Sequence, residues 1–169
     1  MSTENTTYIN YLIEISKSGR HRGFLDLCEI ILPNVYTVVF RLLNDEESAK
    51  KITVKTFMQA WHQMKYFDVK KPFIVWIKSV AILLSMEELN KTASLFQMTL
   101  SENETKGSKR DLDSLIKTLP TLNRIIFVLH DLEGYSYKEI LQFFPDLIED
   151  ELKTNLIQTR QHLIGNLTQ

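Results

Sequence analysis

Apolar residues recur at three- and four-residue steps through almost all of this chain, and no segment alternates with a period of two for long. That pattern predicts an all-α protein. Helices are expected over residues 7–16, 22–32, 33–43, 46–65 and 72 to about 95, and then over 111–119, 120–131, 136–144 and 150–167. Pro33, Pro72 and Pro120 suit first-turn positions, where a missing N–H costs nothing and the fixed φ already matches a helix. Ser136 and Glu139 have the spacing of a capping box, so a short helix should begin just after Tyr135. Phe144-Pro145 should end that helix and separate it from the next.

The periodicity fades between Lys91 and Arg110 into Ser-Glu-Asn-Glu-Thr-Lys-Gly-Ser-Lys, a run too polar to bury a core of its own. Two small helical domains are therefore expected, at 1–92 and 111–169, joined by a polar linker at 93–110. Each is small enough to bury only about 60% of its unfolded surface, which favours modest stability and reliance on a partner.

Composition narrows the function. The chain is 44% hydrophobic with a net charge of −1, and no uninterrupted apolar run reaches the length of a membrane span. The first ten residues are polar and carry no signal-peptide pattern, and Cys28 is the single cysteine; together these imply a cytoplasmic protein without disulfides. His21, His62, His130 and His162 are scattered, with no metal-ligand spacing to a cysteine or acid. Neither a phosphate-binding glycine loop nor a nucleophile elbow is present, so no enzyme activity, metal or cofactor is expected. Cys28, on an apolar helical face, reads as a core residue, and His130-Asp131 as a helix-end contact.

Two features point toward nucleic acid. Lys65-Tyr-Phe-Asp-Val-Lys-Lys71, followed by Phe73 and Trp76, interleaves cations with aromatics, the composition that lets charges track phosphates while rings stack on bases. An ordinary solvated loop whose aromatics point inward would show the same letters. The last two helices form a helix-turn-helix, whose second member commonly enters a DNA major groove. A helical wheel over 150–167 places Leu152, Leu156, Leu163 and Leu167 inward, with Thr154, Gln158 and Gln161 outward and Lys153 and Arg160 on one flank. Gln can read adenine and Lys or Arg can grip phosphate, although a plain amphipathic helix fits the pattern almost equally well.

The order of these motifs resembles the extracytoplasmic-function (ECF) group of bacterial RNA polymerase sigma factors. Arg124-Ile-Ile-Phe-Val-Leu-His-Asp-Leu-Glu-Gly-Tyr-Ser-Tyr-Lys-Glu-Ile140 resembles the family's promoter-reading domain. Phe24-Leu-Asp-Leu, Pro33-Asn-Val-Tyr36, Arg41-Leu-Leu-Asn-Asp45, Thr56-Phe-Met-Gln-Ala-Trp61 and Pro72-Phe-Ile-Val-Trp-Ile77 resemble its other domain, in family order. The resemblance implies core RNA polymerase and promoter DNA as partners, with an anti-sigma factor or another protein as a further one. It places polymerase docking at Lys51, Lys55, Met58 and His62. DNA contacts fall at Lys65, Tyr66, Phe67, Lys70, Lys71 and Trp76 in the first domain. In the second they fall at Ser136, Tyr137, Lys138, Lys153, Thr154, Gln158 and Arg160.

Three departures from the family pattern stand out. The docking helix, usually acidic, here reads Ala49-Lys-Lys-Ile-Thr-Val-Lys55, which would oppose the basic partner of such factors. The long helix after Pro72 carries Val80-Ala-Ile-Leu83 and then Glu87-Glu88 where basic residues usually face the promoter. Residues 110–169 hold six Lys and Arg against nine Asp and Glu, with Glu149, Asp150 and Glu151 opening the reading helix. An apolar face at Ile82, Leu83 and Met86 would suit the alternative of a sigma-like interaction module that no longer binds promoters.

Overall fold

The computed structural model describes residues 3–96, 112–144 and 146–167, and every regular element among them is helical. The helices are α1 (Thr3–Lys17), α2 (His21–Leu43), α3 (Glu46–Gln63), α4 (Phe73–Phe96), α5 (Leu112–Thr118), α6 (Thr121–Phe127), α7 (Tyr137–Leu141) and α8 (Glu149–Leu167). A 3₁₀ turn, Met64–Tyr66, follows α3, and a π turn, Val128–Leu132, continues α6. The chain divides into two compact units, Met1–Glu88 and Leu89–Gln169. Beyond Phe96, the polar segment expected as a linker lies outside the described residues.

In the first unit α2 is the central element. Leu27, Ile31, Val35, Val38, Val39 and Leu42 follow each other at helical spacing and are all buried. That continuous inward stripe overrides Pro33, which was expected to start a new helix and instead sits inside one. Pro33 removes a hydrogen bond from the ladder but lies on the exposed side, where water can satisfy the carbonyl that loses its partner. Its own carbonyl accepts from Thr37 Oγ1 at 2.8 Å. Among the described residues α2 is the one helix long and apolar enough to cross a membrane, yet its inward stripe forms the core of this unit. Asn44, in the left-handed region at φ 57°, ends α2, and Asp45 caps α3 by accepting from Ser48 N at 2.7 Å.

In the second unit Asn123 Nδ2 donates to the buried Thr159 Oγ1 at 3.1 Å, tying α6 to α8. The buried side of α8 is therefore Leu152, Leu156, Thr159 and Leu163, whereas Leu167, expected inside, is exposed. The capping box at Ser136 forms in both directions: Glu139 accepts from Ser136 N, and Ser136 Oγ accepts from Glu139 N. The Ser136 hydroxyl, which donates to Glu139 Oε2 at 2.6 Å, and then the Ser136 N–H hold the Glu139 carboxyl below its ordinary pKa. α7 is shorter than expected, because Phe143 and Phe144 tighten into i to i−3 bonds before the proline at 145, which lies outside the described residues. Gly134, at φ 76°, makes the turn after the π segment, where Tyr135 N reaches back to Leu129 O at 2.9 Å. Arg124 is buried and its guanidinium is pushed down by that burial; Nη1 lies 3.4 Å from Leu119 O.

The surroundings of Gly23, Gly165 and Cys28 set expectations for stability. A Cβ on Gly23 would fall 2.4 Å from Ile15 Cγ2 and 3.0 Å from Ile15 Cβ, on a β-branched side chain that is stiff at χ1. Gly23→Ala should lower unfolding free energy by about 1–3 kcal/mol in urea titration. Gly165→Ala, on α8 with open space around it, should raise stability by up to about 1 kcal/mol. Burial also pushes the Cys28 thiol from 9.0 up to about 12. Native protein at pH 8 should therefore resist thiol reagents until unfolded. Because the unfolded thiol ionises first, the Cys28 contribution to stability should fall as pH rises from about 9 toward 12, a slope that Cys28→Ala removes.

Candidate nucleic-acid and polymerase interface

The connection between α3 and α4 is anchored from within. Phe67 is only 4% exposed, with its ring 5.3 Å from that of Phe73 at a near-perpendicular angle and 4.9 Å from that of Trp76. Lys17 Nζ donates to Phe67 O at 2.9 Å, fixing the same residue to the end of α1. Phe67, expected to stack on a base, is thus a core residue, because two neighbouring rings offer it a drier contact than DNA would. Trp76 is half-buried against it.

Apart from Met64, which joins the core, the rest of this connection faces outward. Tyr66 is 83% exposed, and Lys65, Lys70 and Lys71 are exposed around it. Asp68 accepts from Lys70 N at 3.0 Å, an Asx turn that shapes the lysine pair. Val69, Lys70 and Lys71 form one wall of a groove of about 740 Å³, completed by Ile9, Asn10, Ile13 and Glu14 of α1, Ile30, Ile31 and Asn34 of α2, and Pro72, Phe73 and Ile74. The groove has an apolar floor, amides on two sides and cations at its rim. Its α1 and α2 residues were not singled out by sequence, since residues far apart in the chain meet only after folding.

On α3, Val54 and Met58 are 59% and 60% exposed, and Lys51, Lys55 and His62 share their side of the helix. The lysines do not form an open basic patch. Lys51 Nζ lies 2.9 Å from Glu88 Oε1 and Lys55 Nζ lies 3.8 Å from Glu87 Oε2, so the end of α4 supplies a carboxylate to each. Two departures noted separately in the sequence are one arrangement in space. Ile82 and Met86 are buried, leaving Leu83 as the exposed member of the apolar face reserved for a protein partner.

On α8, Thr154, Ile157, Gln158 and Gln161 are exposed. Thr154 Oγ1 is bonded to Asp150 O at 2.8 Å. Arg160 Nε donates to Asp131 Oδ2 at 2.8 Å while Nη2 donates to Oδ1, a bidentate pair that draws the guanidinium toward the π turn. Lys153 pairs with Glu149 at 2.6 Å and lies 5.7 Å from the Tyr137 ring centre. Tyr137 in turn packs on His130, whose Nδ1 is 2.7 Å from Tyr135 O. The expected contacts Lys153 and Arg160 are therefore held by carboxylates of their own unit. Ser136 is spent on the cap, and Lys138 is exposed.

Comparison with known proteins finds similarity to sigma factors. Residues 109–140 match the model of sigma-70 region 4, so the match ends before α8. A curated relative, the ECF RNA polymerase sigma factor SigW of Bacillus subtilis, is 23% identical over 91 residues, covering 54% of this chain and 49% of its own length. CnrH, solved in complex with the cytosolic domain of CnrY, superposes with a TM-score of 0.58 at 20% identity over 95% of this chain and 97% of its own. The sigma factor RpoE, solved with the anti-sigma factor NepR from Bartonella quintana, gives 0.59 at 16% identity over 86% and 96%.

The chain is similar in part of its sequence to an ECF sigma factor and shares the fold of two solved chains. It spans about half the length of the curated relative it matches, while both solved chains are covered almost throughout. The all-α architecture expected from the hydrophobic period is the architecture of those sigma structures.

The ion pairs between α3 and α4 define a test. Both lysines are exposed, so neither pair should contribute much to folding. Lys51→Glu should lower stability slightly by facing Glu88, and adding Glu88→Lys should recover the loss. A double-mutant cycle in urea with no coupling would show that the pair does not persist in solution.

Proposed function

We propose that this chain acts as an ECF-type sigma factor, docking core RNA polymerase through the outer side of α3, holding a melted promoter strand at the α3–α4 connection, and contacting upstream duplex with α8. The observation that carries this proposal is the division of labour within 65–73: Phe67 and Phe73 are buried, Tyr66 and Lys65 are exposed, and Lys70 and Lys71 line a largely apolar groove. Such a surface suits single-stranded nucleic acid, because the ring offers a stacking face and the ammonium groups follow phosphates. The function is binding and orientation; polymerase supplies the phosphoryl-transfer chemistry.

The paired lysines of α3 support docking rather than oppose it. With Glu87 and Glu88 beside them, the outer side of α3 presents no unbalanced positive field, so a basic partner meets Val54 and Met58 between neutralised flanks. The alternative of an interaction module without promoter binding rested on the acidic second domain and on the apolar face at Ile82, Leu83 and Met86. Burial of Ile82 and Met86 takes most of that face out of reach of a partner. A protein inhibitor is a natural third partner, since the solved RpoE is held by an anti-sigma factor.

The purified chain should co-elute with core RNA polymerase of its own organism in size-exclusion chromatography and support promoter-dependent transcription; separation at every salt concentration would end the proposal. Tyr66→Ala should leave stability unchanged and reduce open-complex formation by about 5- to 150-fold, the equivalent of one lost base stack. Phe67→Ala should instead destabilise the fold by about 3–5 kcal/mol.

A further inference from the structure

The outward arc of α8 is chemically one-sided. Its exposed members from the second to the fourth turn are Thr154, Ile157, Gln158 and Gln161, with Ile157 54% exposed and the Thr154 hydroxyl donated to Asp150 O. In the major groove a glutamine amide can pair bidentately with adenine, and an apolar side chain packs on the thymine methyl. The groups that ordinarily read guanine are Arg and Lys, and both on this helix are engaged elsewhere. Arg160 gives its Nε and Nη2 edge to Asp131, and Lys153 is bound to Glu149. By the helical repeat Arg160 also lies about 100° from Gln161, pulled to the flank by the π turn. Asp150 and Glu151 are exposed in the first turn, where their charge keeps phosphates away and leaves base contact to residues 157–161.

We infer that α8 reads A·T base pairs, through Gln158 and Gln161 on adenine and Ile157 on the thymine methyl, and that the Asp131–Arg160 pair suppresses guanine readout. The inference rests on the promoter-binding function proposed above and specifies the DNA that this helix accepts. Asp131 contacts no base in this scheme; it is a positioning residue acting through Arg160.

The test uses holoenzyme assembled from core RNA polymerase and the full chain, selecting bound duplexes from a library randomised across the promoter. A·T pairs should be enriched in the upstream segment, with G·C pairs depleted by about tenfold, the scale of one good base contact. Ile157→Ala should relax thymine preference at one position and Gln158→Ala adenine preference at another. Arg160→Met should leave the profile unchanged, whereas Asp131→Ala should admit guanine, because the guanidinium is released. Asp131→Asn, which keeps the side-chain shape, should do the same more weakly if the alanine variant folds poorly. A G·C-rich upstream profile with the unmodified chain, or loss of a guanine preference in Arg160→Met, would overturn the inference while leaving the promoter-binding proposal intact. Cytosine enrichment would do the same and would point to Asp150 or Glu151 as the reader, since a carboxylate accepts from the cytosine amine. Absence of any selected duplex would reject the promoter-binding proposal and this inference with it.

Discussion

The packing of Phe67 between Phe73 and Trp76 is the contact on which the candidate site depends. A loop of cations and one exposed ring has little reason to keep a shape, since its charges repel and its backbone is solvated. Burying one aromatic from its middle, and bonding that residue's carbonyl to Lys17, converts the segment into a fixed rim. Preorganisation of this kind lowers the entropy lost when a strand binds. It also explains why two adjacent aromatics, Tyr66 and Phe67, have opposite fates: one supplies the surface and the other supplies its stability.

Electrostatics in this chain is mostly internal. Lys51, Lys55, Lys153 and Arg160 all meet carboxylates nearby, and none is deeply buried. Exposed pairs contribute little to folding. Their effect is on the field that a partner encounters, because a neutralised cation neither attracts phosphate strongly nor repels a basic protein. A near-zero net charge on the whole chain is consistent with binding surfaces that rely on shape and stacking as much as on charge.

Much of the fold was legible in the sequence. The helical period of α2, the Ser136–Glu139 cap and the Leu152/Leu156/Leu163 stripe are local signals, and local signals survive folding. Pro33 misled because a proline on an exposed face is tolerated when the buried face continues past it. Leu167 misled because it is the last residue of α8, one turn past Leu163, where the stripe that buries Leu152, Leu156 and Leu163 ends. Of the candidate site, composition located the Lys65–Lys71 segment but could not tell Tyr66 from Phe67, since only tertiary neighbours distinguish a ring that packs from one that waits. The α1 and α2 walls of the groove, and the glutamate partners of Lys51 and Lys55, arise from contacts between distant segments and leave no periodic trace.

The Lys51–Glu88 pair spans 37 positions of sequence. The charge seen on the outer side of α3 is consequently a joint property of two stretches that mutate independently. A lineage could exchange the signs of the two helices in steps, passing through a transient mismatch at each one, and arrive at the same neutral surface from opposite letters. The residue types along α3 alone are then a poor guide to the field that any partner of that surface would meet, and sequences that look incompatible at that helix can present the same charge.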